Sequence, residues 1–180
     1  ISAPGTYRIP LVYGNAIERG TTNSSAYTST KSCIVDNEEF VLQDFVDHND
    51  HKITSPYINV QNAGDPATKA EVVWEDCQDI VTAPAVTGSG ADSYLTFTIK
   101  KENLQNGNAV VAVTNATGKV MWSWHLWFTP KSSLKTIPFT SVGSTYNFMT
   151  DNLGWKYTKW TGGLKREVVV KIEQQAETGE

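Results

Sequence analysis

The stretch MWSWHLWF, residues 121–128, decides the fold. Three of its residues are Trp, and a His stands among them. A ligand platform, a membrane anchor and a strand of the core would each account for it. The anchor is excluded first. A spanning helix needs about 20 consecutive apolar residues, and a lone hairpin cannot close into a barrel. Upstream lies NAVVAV (108–113), and the polar run TNATGK (114–119) between the two reads as a turn. A symmetric turn of two or four residues pairs Thr114 with Lys119. That register sets Val113 opposite Val120, Val111 opposite Trp122 and Ala109 opposite Trp124. This face is wholly apolar. The other pairs Ala112 with Met121, Val110 with Ser123 and Asn108 with His125.

A slip of one residue would turn the indoles away from their small partners, so the register is strongly specified. Small Ala and Val facing large Trp suits an interdigitated interior. Trp122, Trp124, Leu126 and Phe128 are therefore expected in the core, and Trp124→Ala is expected to cost about 3–5 kcal/mol. Ser123, His125 and Trp127 fall on the second face, which in a sandwich is solvent-side and half covered by a loop. His125 is expected to be structural and hydrogen-bonded to a neighbour. A general base needs a nucleophile within reach, and no Gly-x-Ser-x-Gly elbow occurs in the chain.

The same period of two runs through the chain. YRIPLVY (7–13), EVVWEDC (71–77), YLTFTI (94–99), TYNFM (145–149) and REVVVKIE (166–173) are rich in β-branched and aromatic residues and are bounded by turn formers. EEFVLQDFVD (38–47) is the one stretch with helical spacing, and its start is crowded with acids. KKENLQ (100–105) could make a short helical connection between two strands. The Thr-, Ser- and Asn-rich residues 20–32 are long for a connection and are expected to be mobile or to lie flat on the surface. The expected fold is all-β: an antiparallel β-sandwich with Greek-key-like connections and one short helix.

With 180 residues, a single module over 1–175 is expected, followed by a polar linker at 176–180. The opening ISAPGTYRIP reads as the middle of a longer protein. The net charge of −4 argues against a phosphate-backbone partner, so no nucleic acid is expected. Cys33 and Cys77 are the only cysteines. One bridge or two buried thiols would each fit, and no zinc-like spacing occurs.

GNAVVAVTNATGKVMWSWHLWFT closely resembles a segment of fimbrillin-family surface proteins of the Bacteroides group. The likeness extends to PGTYRIPLVYGNAIERG, to SPYI followed by EVVWEDCQDIV, and to NFMTDNLGW, in the same order over residues 4–155. The resemblance implies a secreted, surface-exposed β-sandwich module of an outer-membrane lipoprotein or pilus-associated protein. It implies adhesion or structural display rather than catalysis, with no cofactor. The implied partners are other domains of the parent protein or fimbrial subunits, and host or dietary glycans or proteins. Neither Cys33 nor Cys77 stands at a lipidation position, so the implied anchor lies outside this sequence.

Four stretches carry chemistry worth weighing. DHNDHK (47–52) could bind a divalent metal through Asp47, His48, Asp50 and His51, since His at i, i+3 can converge on one ion. It also reads as a solvated turn. DNEEF (36–40) reads as a helix start rather than a catalytic carboxylate pair, with Asp36 or Asn37 as cap. LGWKYTKW (153–160) places Trp155 and Tyr157 on one side of an extended segment and Lys156 and Trp160 on the other. These aromatics beside a lysine could stack on a sugar or peptide. REVVVKIE could pair within the sandwich or be donated to a neighbour. The expectation is therefore a non-enzymatic surface module. Its rivals are a carbohydrate- or peptide-binding module built on Trp155, and a hydrolase using Asp47 and His51.

Overall fold

In chain order the strands are β1 (Gly5–Pro10), β2 (Ile17–Glu18), β3 (Thr21–Thr22), β4 (Ile34–Val35) and β5 (Glu38–Glu39). After helix α1 (Ile58–Gln61) come β6 (Lys69–Glu75), β7 (Thr82–Thr87), β8 (Tyr94–Ile99), β9 (Gly107–Thr114) and β10 (Val120–Phe128). A hairpin of β11 (Thr136–Ser141) and β12 (Ser144–Met149) follows. This computed structural model describes residues 1–28, 34–35, 38–39 and 45–157. Trp160, Cys33, the stretch 166–173 and the expected linker at 176–180 lie outside them.

Two three-stranded antiparallel sheets, β1-β8-β7 and β10-β9-β6, face each other across one core. Strand β8 contributes Leu95, Phe97 and Ile99, while Tyr94, Thr96 and Thr98 point outward. Strand β9 contributes Ala109, Val111 and Val113, and β10 contributes Met121, Leu126 and Phe128. Strand β6 pairs with β9 while β7 pairs with β8, so the chain crosses between sheets twice and one hairpin nests inside another. This is the Greek-key-like connection of an all-β sandwich.

The hairpin of β9 and β10 keeps the expected faces but not the expected register. Trp122 lies opposite Val113, Trp124 opposite Val111 and Leu126 opposite Ala109, two residues away from the symmetric pairing. The cause is the loop at 115–119. Asn115 Oδ1 accepts from Lys119 N and from Thr117 Oγ1, each at 2.8 Å, and its Nδ2 donates to Asp65 Oδ2 at 2.7 Å. This longer, asymmetric turn leaves a bulge at Met121, which is turned into the core instead of onto the second face. Leu126 and Phe128 are buried, whereas Trp122 and Trp124 pack against the core half-buried. Trp122 meets Tyr13 edge-on at 5.3 Å between ring centres.

Besides the two-residue strands β2 to β5, two longer strands escape a sequence reading, β7 (TAPAVT) and β11 (TIPFTS). Each contains a proline, which removes a ladder donor, and each is an edge strand, where that loss is tolerated. The helix expected over 38–47 is not found at its described ends. Glu38–Glu39 pairs with Ile34–Val35, and Val46 forms a bridge to Lys52; residues 40–44 lie outside the described set. Residues 100–105 make a turn closed by Asn103 N donating to Lys100 O, not a helix. Residues 20–28, expected to be loose, carry the small β2-β3 ladder and bury Tyr27.

The one α-helix among the described residues is α1. It is too short to stand on its own propensity. Ile58 anchors it in the core, and Asn59 ties it to the chain on both sides. The Asn59 amide donates to Ala67 O at 3.2 Å and Ser93 Oγ at 2.9 Å, and its Oδ1 accepts Ala67 N at 2.8 Å. No described helix is long and apolar enough to cross a membrane.

Candidate functional site

The outer face of the β10-β9-β6 sheet carries the most developed surface. Alternation puts Asn108 and Val110 of β9, and Ser123, His125 and Trp127 of β10, on the side away from the core. The chain after β12 folds back over this face, so the second face of β10 is solvent-side and partly covered. Trp155 N donates to Asn152 O at 3.0 Å, closing a turn in which Gly154 has φ +78. A side chain at Gly154 would stand 3.1 Å from His125 Cε1, so glycine permits this close approach.

Polar contacts clamp the segment down. Asn108 Nδ2 donates to Gly154 O at 3.0 Å, and Trp127 Nε1 donates to Trp155 O at 2.9 Å. The Lys156 ammonium lies 3.2 Å from Asp76 Oδ1 and donates to Asp76 O at 3.3 Å and Cys77 Sγ at 3.4 Å. Asp76 in turn accepts from the Cys77 thiol at 3.2 Å and from Asn108 Nδ2 at 3.4 Å. Because the Asn108 amide nitrogen donates to these oxygens, its Oδ1 is the acceptor for His125 Nε2 at 2.8 Å. His125 therefore carries a proton on Nε2. It is the structural, hydrogen-bonded residue expected from the sequence, although its partner Asn108 lies diagonally and not directly opposite.

The electrostatics reinforce this clamp. Burial pushes the Asp76 carboxyl up, but the hydrogen bonds from Cys77, Asn108 and Lys156 outweigh it and hold the group below the usual carboxylate range. Burial and the adjacent Asp76 push the Cys77 thiol up, against the opposing pull of Lys156. Cys77 is thus a free thiol with little thiolate character, a weak nucleophile.

Beside the clamp is an open trough of about 540 Å³ lined by Trp74, Asn108, Val110, His125, Leu153 and Gly154. Trp74 is 51% exposed and Leu153 78%, and Trp155 and Tyr157 stand exposed on the covering segment. Of the expected binding stretch, Leu153 and Gly154 line this trough, while Trp155 and Tyr157 follow them in the chain and are not among its lining. Lys156 is a correction: it turns inward to Asp76 and Cys77 and is not offered to a ligand. Trp74 and His125 are functional candidates that sequence spacing did not join to Trp155. Trp74 sits after a bulge between Val72 and Trp74. That bulge turns Trp74 outward, and alternation alone does not signal it.

DHNDHK, a candidate metal site that also reads as a turn, forms a turn. Asp47, whose side chain is 1% exposed, accepts from Asn49 N at 2.8 Å, His51 N at 3.1 Å and Gln61 Nε2 at 3.2 Å. Its oxygens are filled by N–H donors, as in an Asx turn. His51 is exposed, Asp50 takes φ +62 in the turn, and His48 Nε2 meets Asn49 Nδ2 at 3.1 Å. Asp47, His48, Asp50 and His51 do not gather around one point, and no metal-ligating group of three or more His, Cys, Asp or Glu is found among the described residues.

Burial raises the Asp47 carboxyl, but Asn49, Gln61 and His51 together pull it below the usual range. A folded-state pKa below the unfolded value gives stability that is present above about pH 4 and lost as pH falls through the folded value. Urea midpoints from pH 7 down to pH 2.5 should therefore fall more steeply in the parent chain than in Asp47→Asn. Parallel curves would show that the turn contributes no proton linkage.

No protein-family profile, curated protein or solved structure matches this chain.

Proposed function

We propose that the chain is a non-catalytic cell-surface or fimbria-associated module acting in structural display and adhesion, with the trough as its adhesive face. One observation carries the reading. Trp74 on the sheet and Leu153 and Trp155 on the segment that covers it are each more than half in water, and Tyr157 nearly so, close to the polar groups of the clamp. Contiguous exposed apolar surface rimmed by polar residues marks interaction sites. An indole offers a flat apolar face for a sugar ring or an apolar side chain, and the polar groups set its orientation. The surface location and the partners rest on the resemblance: domains of a parent surface protein, fimbrial subunits, and host or dietary glycans or proteins.

A second reading is a dedicated carbohydrate- or peptide-binding module, which the concave trough next to Trp155 favours. Glycan and peptide arrays probed with the whole chain test both. Retention of one ligand class is expected, weakened at least about tenfold by Trp74→Ala, the size of loss typical of a contact residue at the centre of a site. Trp74 is half exposed, so that variant should fold and lose little stability, which its melting curve checks. Failure to bind either array would remove the adhesive face and leave display alone.

A further inference from the structure

The β11-β12 hairpin stands apart from the sandwich. From Thr136 to Met149 no residue is charged, and all of β12 is exposed. A two-residue turn, Val142 and Gly143 at φ +48 and +76, closes it in the form that suits strand twist. Ile137 faces Phe148 and Phe139 faces Tyr146 on one side, all more than half exposed, and Phe139 meets Phe148 edge-on at 6.2 Å. A lone two-stranded ribbon is marginal in water; three or more strands with an apolar face are needed.

The hydrogen-bond parity shows which backbone groups point out of the hairpin. Thr150 N donates to Lys135 O at 3.2 Å, which makes that pair hydrogen-bonded. Alternation then makes Ile137 with Phe148, Phe139 with Tyr146 and Ser141 with Ser144 the hydrogen-bonded pairs. The backbone groups of Thr136, Pro138 and Thr140 point out from β11, and those of Thr145, Asn147 and Met149 point out from β12. Pro138 has no N–H, so the β11 edge is blocked against strand addition. The β12 edge has no proline, no charge and no partner strand among the described residues.

We propose that the β12 edge pairs antiparallel with β12 of a second copy of this chain, forming a closed dimer with a four-stranded sheet. A two-fold axis at Asn147 sets Asn147 against its equivalent and Thr145 against Met149 of the other copy. All three are residues whose backbone groups point outward. The same register brings Tyr146 beside Phe148 of the other copy, so the aromatic side becomes continuous across four strands. Identical strands meet here without like-charge repulsion, because neither carries a charge. Pro138 stops further addition at the outer strands, so the assembly ends at two copies and does not grow into a fibre.

Sedimentation of the whole chain over a range of concentrations tests this. A monomer–dimer equilibrium is expected, with slowed amide exchange at Thr145, Asn147 and Met149 in the dimer. Asn147→Pro removes an outward N–H and should yield monomer, while Thr140→Pro, on the edge already blocked, should still dimerise. Tyr146→Lys serves as a second disruptor should Asn147→Pro disturb the hairpin. A monomer at every concentration, open polymers, or a dimer that survives both disruptors would overturn the proposal.

Discussion

Gly88→Ala will destabilise the protein by about 3–4 kcal/mol, combining a left-handed backbone penalty with a clash that the surroundings must relieve. Gly88 has φ +78, and an added Cβ would lie 1.9 Å from Asp92 O, a backbone atom that cannot swing aside. Moving Asp92 moves Ser93, which is buried and connects three parts of the chain. Ser93 O accepts Leu11 N at 2.9 Å, and its hydroxyl donates to Gly90 O and accepts from Asn59, each also at 2.9 Å. A fall in Tm of roughly 10 °C is expected for a chain of this size. An unchanged melting curve would mean that the 88–93 turn relaxes freely and that Ser93 does not hold the two sides together.

Phe128→Ala is the second large effect, at about 3–5 kcal/mol, the cost of deleting a fully buried aromatic ring and leaving a cavity. Phe128 is 0% exposed and belongs to the cluster that also holds Leu126, Phe97 and Ile99. Trp124→Ala should cost less, about 2–3 kcal/mol, because a partly exposed indole loses less apolar burial on truncation. Urea unfolding of the two variants side by side measures the difference. Equal losses would show that Trp124 is as deeply enclosed as Phe128.

The ordering of those two residues shows what was legible in the sequence. Alternation along VMWSWHLWF placed Trp122, Trp124, Leu126 and Phe128 on one face, and the structure keeps them there. It did not say how far in each one goes. Leu126 and Phe128 are buried, whereas Trp122 and Trp124, nearer the bulge at Met121, remain partly exposed. That bulge depends on Asn115 reaching Asp65, a contact across fifty residues of sequence. Strands β7 and β11 were hidden by Pro84 and Pro138, because a proline argues against a strand until the strand is known to be an edge.

The candidate site was legible in part for the same reason. Alternation put Trp155 and Tyr157 on one side of the segment and Lys156 on the other. Where the lysine goes was settled by Asp76 and Cys77, about eighty positions earlier in the chain. The four polar side chains of DHNDHK looked alike in sequence. The fold separates them by burying Asp47 beside Gln61 of α1 and leaving His51 in water.

By itself, then, the amino-acid order determined that this chain is all-β, where β1, β6, β8, β9, β10 and β12 run, and which face of β10 turns inward. Those properties follow from residue type and a period of two, both local. Tertiary structure alone decided the strand offset between β9 and β10, the inward turn of Lys156, the joining of Trp74 to Leu153 and Gly154 in one trough, and the edge of β12 that has no partner strand among the described residues. Each of these depends on a partner far away in sequence, or on which backbone groups remain unpaired once all other strands have found theirs.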